Sequence, residues 1–259
     1  MSLVLTEVTD GVGTLTLNYS LKRNTLSEPL VREISDAFAS FESQGVRSLV
    51  LRAQPEAKVW SAGHNIDELP AGGHDPLSWR DPLRSLVRDI EAFPAPVIAL
   101  IEGSVWGGAC EMVFACDIIV ATPEATFAAT PAKLGVPYNA SGLLTFFNAA
   151  HLHIAKEMLF TARPVDAQRL ERLGIVNHVV TSAEIEAFVM DMARQIAHNA
   201  PLAVAVMKEE LRILAGAQSL TPQDFERIQD LRRIVYNSQD YREGLRAFKE
   251  KRKPMFRGE

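Results

Sequence analysis

Short apolar runs and amphipathic stretches alternate along roughly the first two-thirds of this 259-residue chain. "LVLTEVTDGVGTLTLN" (3–18) alternates apolar and polar positions on both sides of Asp10-Gly11, the pattern of two strands joined by a tight turn. A helix is predicted from about Pro29 to Gln44, closed by Gly45, and then a strand from Val46 to Arg52. Asp81-Pro82 joins a capping side chain to a proline suited to the first helical turn, so a helix should run from there to about Phe93. Val97 to Ile101 reads as a buried strand, and a helix opens at Gly107 with Ala109, Met112, Val113 and Ala115 among its apolar positions. "DIIVAT" (117–122) and "ATFAAT" (125–130) are strand-like, and "PAKLGVPYNASG" (131–142) reads as a loop. Asp166 should cap a short helix ending at Gly174, and "IVNHVV" (175–180) is the last clear strand. Three long helical patterns follow, starting near Ser182, Pro201 and Thr221. Residues 1–198 therefore read as an α/β core and 199–259 as a helical region.

Composition narrows the function without naming it. The chain is 47% hydrophobic and 23% charged, ordinary for a globular protein with a sizeable core. A formal charge of −5 and a pI near 5.8 do not suit a nucleic-acid partner. No apolar stretch approaches the ~18 residues of a membrane span, and "MSLVLTEVTDG" lacks the basic start of a signal peptide. Cys110 and Cys116 form no CxxC and are too few for a disulfide framework; two buried thiols in a cytoplasmic protein are expected. Walker A, HExxH and GxSxG patterns are missing, and Gly11-Val12-Gly13 is followed by alternating residues rather than a phosphate-binding helix. His151 and His153, two apart, would face different sides of a helix and make a poor ligand pair, so no metal is expected.

The informative stretch is "EGSVWGGACEM" (102–112). Gly107 and Gly108 stand where a strand gives way to a helix, which lets a ligand approach backbone N–H groups; close packing alone would also call for them. Glu111 lies one turn into that helix among small apolar neighbours. His64, in "VWSAGHNIDEL", reads on its own as a polar loop residue.

Read together, "SAGHNI" (61–66) and "EGSVWGGACEM" resemble the A/S-A-G-x-D-I and N-G-x-x-x-G-G-G-x-E segments of the enoyl-CoA hydratase/isomerase family, the crotonases. "KRNTLS" (22–27), "CDIIVAT", "LGVPYNASG" and "AFKEKRKPMF" match further family segments in order along nearly the whole chain. The resemblance implies a spiral of ββα units with a C-terminal helical trimerisation region, as a homotrimer or dimer of trimers. It also implies an acyl-CoA substrate whose thioester oxygen is held by two backbone N–H groups, here of His64 and Gly108. Such preorganised donors stabilise the enolate oxyanion as charge develops.

The departures from the hydratase pattern are as telling as the matches. Hydratases use two carboxylates, one for water and one for proton delivery. Glu111 occupies the first position, but the second falls on Pro131, and Tyr138 replaces the proline of L-G-x-x-P-G. Decarboxylation of a malonyl-type thioester generates the same enolate without a base, provided the carboxylate is turned perpendicular to the thioester plane. "SAGHNIDELPAGGHDPLSWRDPLR" and "GSVWGGACEM…TPAKLGVPYN" resemble the family's decarboxylating members more than its hydratases. That likeness assigns Tyr138 to placing the leaving carboxylate. Arg84, from "DPLR", is expected to pair with Glu111 and hold it ionised, with Glu111 at the catalytic position either as a proton donor or as a structural ion-pair partner. The segment Ala62, Gly63, His64, Asn65 and Ile66 would cradle adenine and pantetheine, and Thr130 would touch the acyl part.

The basic tail points to the nucleotide. From Arg246 to Gly258 there are six Lys or Arg and one Glu, which a solvated helix end would also explain. By the resemblance a lysine of this tail approaches the phosphates of coenzyme A, and Lys251 is the expected residue. No cofactor is expected, since coenzyme A enters with the substrate. A single-acid hydratase or isomerase, and an acyl-CoA-binding protein without turnover, remain as alternatives.

Overall fold

Asp10 and Gly11 both take left-handed backbone angles (φ 53° and 76°), the requirement of a two-residue hairpin turn that matches strand twist. They join β1 (Val4–Thr9) to β2 (Val12–Leu17) in the computed structural model, which describes residues 2–217 and 220–259. β2 continues in parallel through β3 (Ser48–Ala53), β5 (Val97–Ile101), β7 (Ile118–Ala121) and β10 (His178–Val179). A second sheet runs β4 (Val59–Ser61), β6 (Ser104–Trp106), β8 (Thr126–Ala128) and β9 (Val165–Asp166). After β3, β5 and β7 the chain steps from the first sheet to the second before its next helix or turn. This is the spiral of ββα units that the resemblance implies.

Every residue of β3 and β5 is buried, because both faces of the first sheet are covered. Leu49 and Leu51 face the main core with α1 (Glu28–Ser43) and α2 (Pro82–Ala92). Val50, Ile98, Leu100 and Val120 face the other way, onto α7 (Ile185–His198). That helix presents Ile185, Val189, Ala193 and Ala197, a stripe at four-residue spacing that suits one helical face. α3 (Gly108–Phe114) is buried along its whole length. α4 (Ala140–Ala149), α5 (Leu152–Thr161) and α6 (Ala167–Arg172) complete the core region.

The C-terminal region differs from the three helices predicted for residues 182–259. α8 (Pro201–Ala215) has no buried residue, and α9 (Pro222–Asn237) buries only Arg232. Ser238 then breaks the pattern with an extended backbone (ψ 164°), and its hydroxyl accepts the Tyr241 N–H at the start of α10 (Gln239–Lys249). α10 returns to the core: Tyr241 is fully buried and donates to the Pro70 carbonyl at 2.7 Å. Gly244 packs against Leu134, where a Cβ would stand only 3.0 Å from its Cα. The short strands β6 and β9 also had no sequence signal, being three and two residues long.

Candidate active site

A cavity of about 730 Å³ opens where the second sheet's strand ends meet α2, α3 and α10. Its wall is built from the chain leaving β4 and the chain entering α3. Gly63 is held at φ 82° with its Cα facing the Trp106 carbonyl, so close that any Cβ would collide. This approach brings the two expected N–H groups together: a Cβ on Gly108 would stand 3.6 Å from the His64 nitrogen. Neither N–H has an acceptor among the described residues, whereas the flanking Ala62, Gly63, Asn65 and Gly107 N–H groups are all bonded. Both donors therefore stand free and side by side at the cavity wall.

Ala62, His64, Asn65, Ile66, Gly108, Thr130 and Tyr138 all line this cavity. Gly63 sits behind its neighbours as the packing residue that allows the approach. Lys251 does not line the cavity; its N–H bonds the carbonyl of Phe248, which does. The cations at the wall are instead Lys22, Arg23 and Lys133, and none of them makes an ion pair among the described residues. The basic pair Lys22-Arg23 was present in "KRNTLS", but its place at the cavity follows from the 3-10 turn Ser20–Lys22, which sequence reasoning missed.

Tyr138 is buried, with its ring edge-to-face on Phe146 at 5.5 Å, and its hydroxyl has no partner among the described residues. Burial, and then the nearby Glu111, hold the phenol well above its ordinary range, so it stays a neutral donor. Asn139 fixes this segment: its side chain accepts the Gly142 N–H at 2.7 Å and donates to the Leu77 carbonyl at 2.9 Å. Pro131, at the second-acid position, contributes only apolar surface.

Glu111 lies behind the wall. Leu83, Gly108 and Tyr138 line the cavity, while the Glu111 side chain is 1% exposed and pairs with Arg84. Arg84 pairs with Glu111 as expected, and burial works against it. Burial pushes the Glu111 carboxyl up to about 7, and the guanidinium limits that rise without reversing it. A carboxyl raised in the folded state adds stability that is complete below its unfolded value, 4.5, and lost as pH rises through about 7. Glu111→Gln, neutral at every pH and still able to accept from Arg84, should remove that slope from the melting temperature between about pH 5 and 8. Because the side chain is sealed from the cavity, turnover should stay within about tenfold of wild type. A loss of turnover with the slope unchanged would make Glu111 a reacting group instead.

The model of the enoyl-CoA hydratase/isomerase family matches residues 7–259, and the chain belongs to that family. Methylmalonyl-CoA decarboxylase of Escherichia coli (strain K12) is 49% identical to it over 247 residues, covering 95% of each chain. A solved structure of methylmalonyl-CoA decarboxylase in complex with 2-nitronate-propionyl-CoA aligns with a TM-score of 0.98 at 48% identity, over 100% of this chain and 99% of that one. A second, complexed with 2S-carboxypropyl CoA, aligns equally well, with a TM-score of 0.98 at 47% identity and the same coverage.

Proposed function

We propose that this protein decarboxylates methylmalonyl-CoA to propionyl-CoA. The observation that carries the reading is the chemistry of the inner cavity wall: two free N–H donors and a neutral phenol, with the nearby glutamate sealed away on Arg84. The electrons of the breaking C–C bond pass into the thioester, and the resulting enolate oxygen is held by the His64 and Gly108 N–H groups. Tyr138 donates to the leaving carboxylate and keeps its C–C bond perpendicular to the thioester plane. CO₂ departs and the enolate carbon takes up one proton. A neutral hydroxyl orients a carboxylate without the charge pairing that would stabilise the ground state. The thioester itself is the electron sink, so the reaction calls for no metal, biotin or nucleotide.

Coenzyme A fits the same site. Ala62, His64, Asn65 and Ile66 line the wall where pantetheine and adenine would lie, with Gly63 behind them, and Lys22, Arg23 and Lys133 supply positive charge for the phosphates. Lys251 follows the last turn of α10 and would reach the nucleotide only beyond the lining residues. Outside the site, α8 exposes Leu202, Leu211 and Leu214 and α9 exposes Leu231 and Ile234, each more than half accessible. Apolar surface of this extent suits contact with further copies, as a trimer or dimer of trimers. Both cysteines are buried free thiols, in keeping with a cytoplasmic setting. No helix among the described residues is long and apolar enough to cross a membrane.

The test is direct. Purified protein given methylmalonyl-CoA without additions should release CO₂ and form propionyl-CoA, and should hydrate crotonyl-CoA negligibly, while sedimenting at three or six chain masses. Rapid crotonyl-CoA hydration without CO₂ release would replace the reading with a single-acid hydratase. Binding with no product from either thioester would make the protein an acyl-CoA-binding module.

A further inference from the structure

The His64 side chain has an environment that its backbone role does not require. Its Nε2 lies 2.6 Å from Asp81 Oδ2 and its Nδ1 lies 3.1 Å from the Asn65 carbonyl oxygen. A carbonyl and a carboxylate accept, so these two contacts call for hydrogen on both ring nitrogens, which is the imidazolium form. His64 lines the cavity, whereas Asp81 stands behind it, 7% exposed. The His64 side chain, 11% exposed, thus stands between the cavity-wall peptide and the buried carboxylate.

Asp81 is also anchored from the other side. Its Oδ1 accepts the Arg84 N–H and caps α2, the helix that carries both Leu83 of the cavity wall and the Arg84 partner of Glu111. The residue thus joins a rigid helix to the loop whose peptide N–H is one of the two free donors. We propose that Asp81 is a positioning residue for this decarboxylation, holding His64 as an imidazolium and so fixing the oxyanion-binding peptide with positive charge beside it. The inference rests on the decarboxylase reading above and adds to it a side-chain function for the His64–Asp81 pair.

The charged surroundings agree with this assignment. Burial alone would push the His64 imidazole down, but the hydrogen bond and charge of Asp81, with help from the Asn65 carbonyl and Glu68, leave it raised. Glu68 itself is fixed in the 3-10 turn Ile66–Glu68, accepting from the Asn65 side chain at 2.8 Å and the Glu28 N–H at 3.0 Å. Lys22 and Arg23 share the cavity wall, the Arg84 N–H bonds Asp81, and Glu111 lies close enough to feel the Asp81 charge. A group raised in this way contributes at low pH and is lost as pH rises through its folded value.

Asp81→Asn separates charge from structure. Asparagine caps a helix as well as aspartate, and its amide can donate to a neutral His64 Nε2 while Nδ1–H still donates to Asn65. The geometry survives, and the imidazolium persists only at lower pH. CO₂ release from methylmalonyl-CoA should show kcat down about tenfold, less than the ~100-fold cost of losing a donor outright, with KM changed by less than about threefold. The alkaline fall of kcat should move down by at least about one pH unit, measured in a Glu111→Gln background to remove that titration. His64→Gln, which keeps the backbone donor, should give the same loss in kcat, and the double variant no more than either alone. Wild-type kcat in Asp81→Asn, an equal loss at every pH, or additive losses in the double variant would overturn the proposal. Absence of CO₂ release by the wild type would overturn the decarboxylase reading and this inference with it; release by the wild type with an unaffected Asp81→Asn would overturn the inference alone.

Discussion

Gly108→Pro should lower kcat for CO₂ release by at least about 100-fold, the largest loss expected from one substitution, since it removes one of the two proposed oxyanion donors. The fold gives reason to expect a soluble product. Gly108 is the first residue of α3, with Gly107 as its cap, and proline is well tolerated at a first helical position where the N–H has no intrahelical acceptor. Gly108→Ala is the informative companion, because it keeps the N–H. Its Cβ would meet Leu83 Cδ2 at 2.6 Å, a flexible side-chain end that can yield, so its loss should be far smaller. Circular dichroism and sedimentation would confirm the fold of both. A folded Gly108→Pro protein with kcat near wild type would remove this N–H from the oxyanion site.

Tyr138→Phe should cost about 100-fold in kcat with little change in KM, the scale expected when a reacting group is no longer held in its productive orientation. It should not cost stability. The hydroxyl has no partner among the described residues, so removing it leaves no group there unsatisfied, and the ring keeps its edge-to-face contact with Phe146. The comparison of melting temperature with kcat is therefore decisive. Turnover unchanged in a stable Tyr138→Phe protein would leave the carboxylate to be oriented by some other group. A melting temperature lowered in step with kcat would mean the phenol acts through packing.

Much of this molecule is legible in its sequence, and particular residues show why. The hairpin turn at Asp10-Gly11 is a local matter, since two adjacent residues must accept left-handed angles and glycine does so at little cost. β3 and β5 announce themselves as continuous apolar runs because parallel strands are covered on both faces. The paired segments 61–66 and 102–112 carried the family and the two donors, because backbone approach demands glycine at fixed places in the chain. The missing acid at Pro131 could likewise be read directly.

Other features depend on partners far apart in sequence, and no local pattern records them. Tyr241 reaches the Pro70 carbonyl across 171 positions, which turns α10 back over the site and divides what looked like one helix at Ser238. β6 and β9 are too short to signal themselves and exist because β4 and β8 offer ladders to pair with. The electrostatics of the site arise in the same way. Arg84 was a foreseeable partner for Glu111, but how far burial would outweigh it depends on Leu83, Gly108 and Tyr138 closing the wall in front. Asp81 was visible only as a helix cap, and its second contact, to a histidine 17 positions earlier, appears when α2 packs beside the loop after β4. Backbone conformation and apolar burial are written in short stretches of sequence, because neighbouring residues bear their cost. Desolvation and charge pairing depend on what the fold brings in from elsewhere.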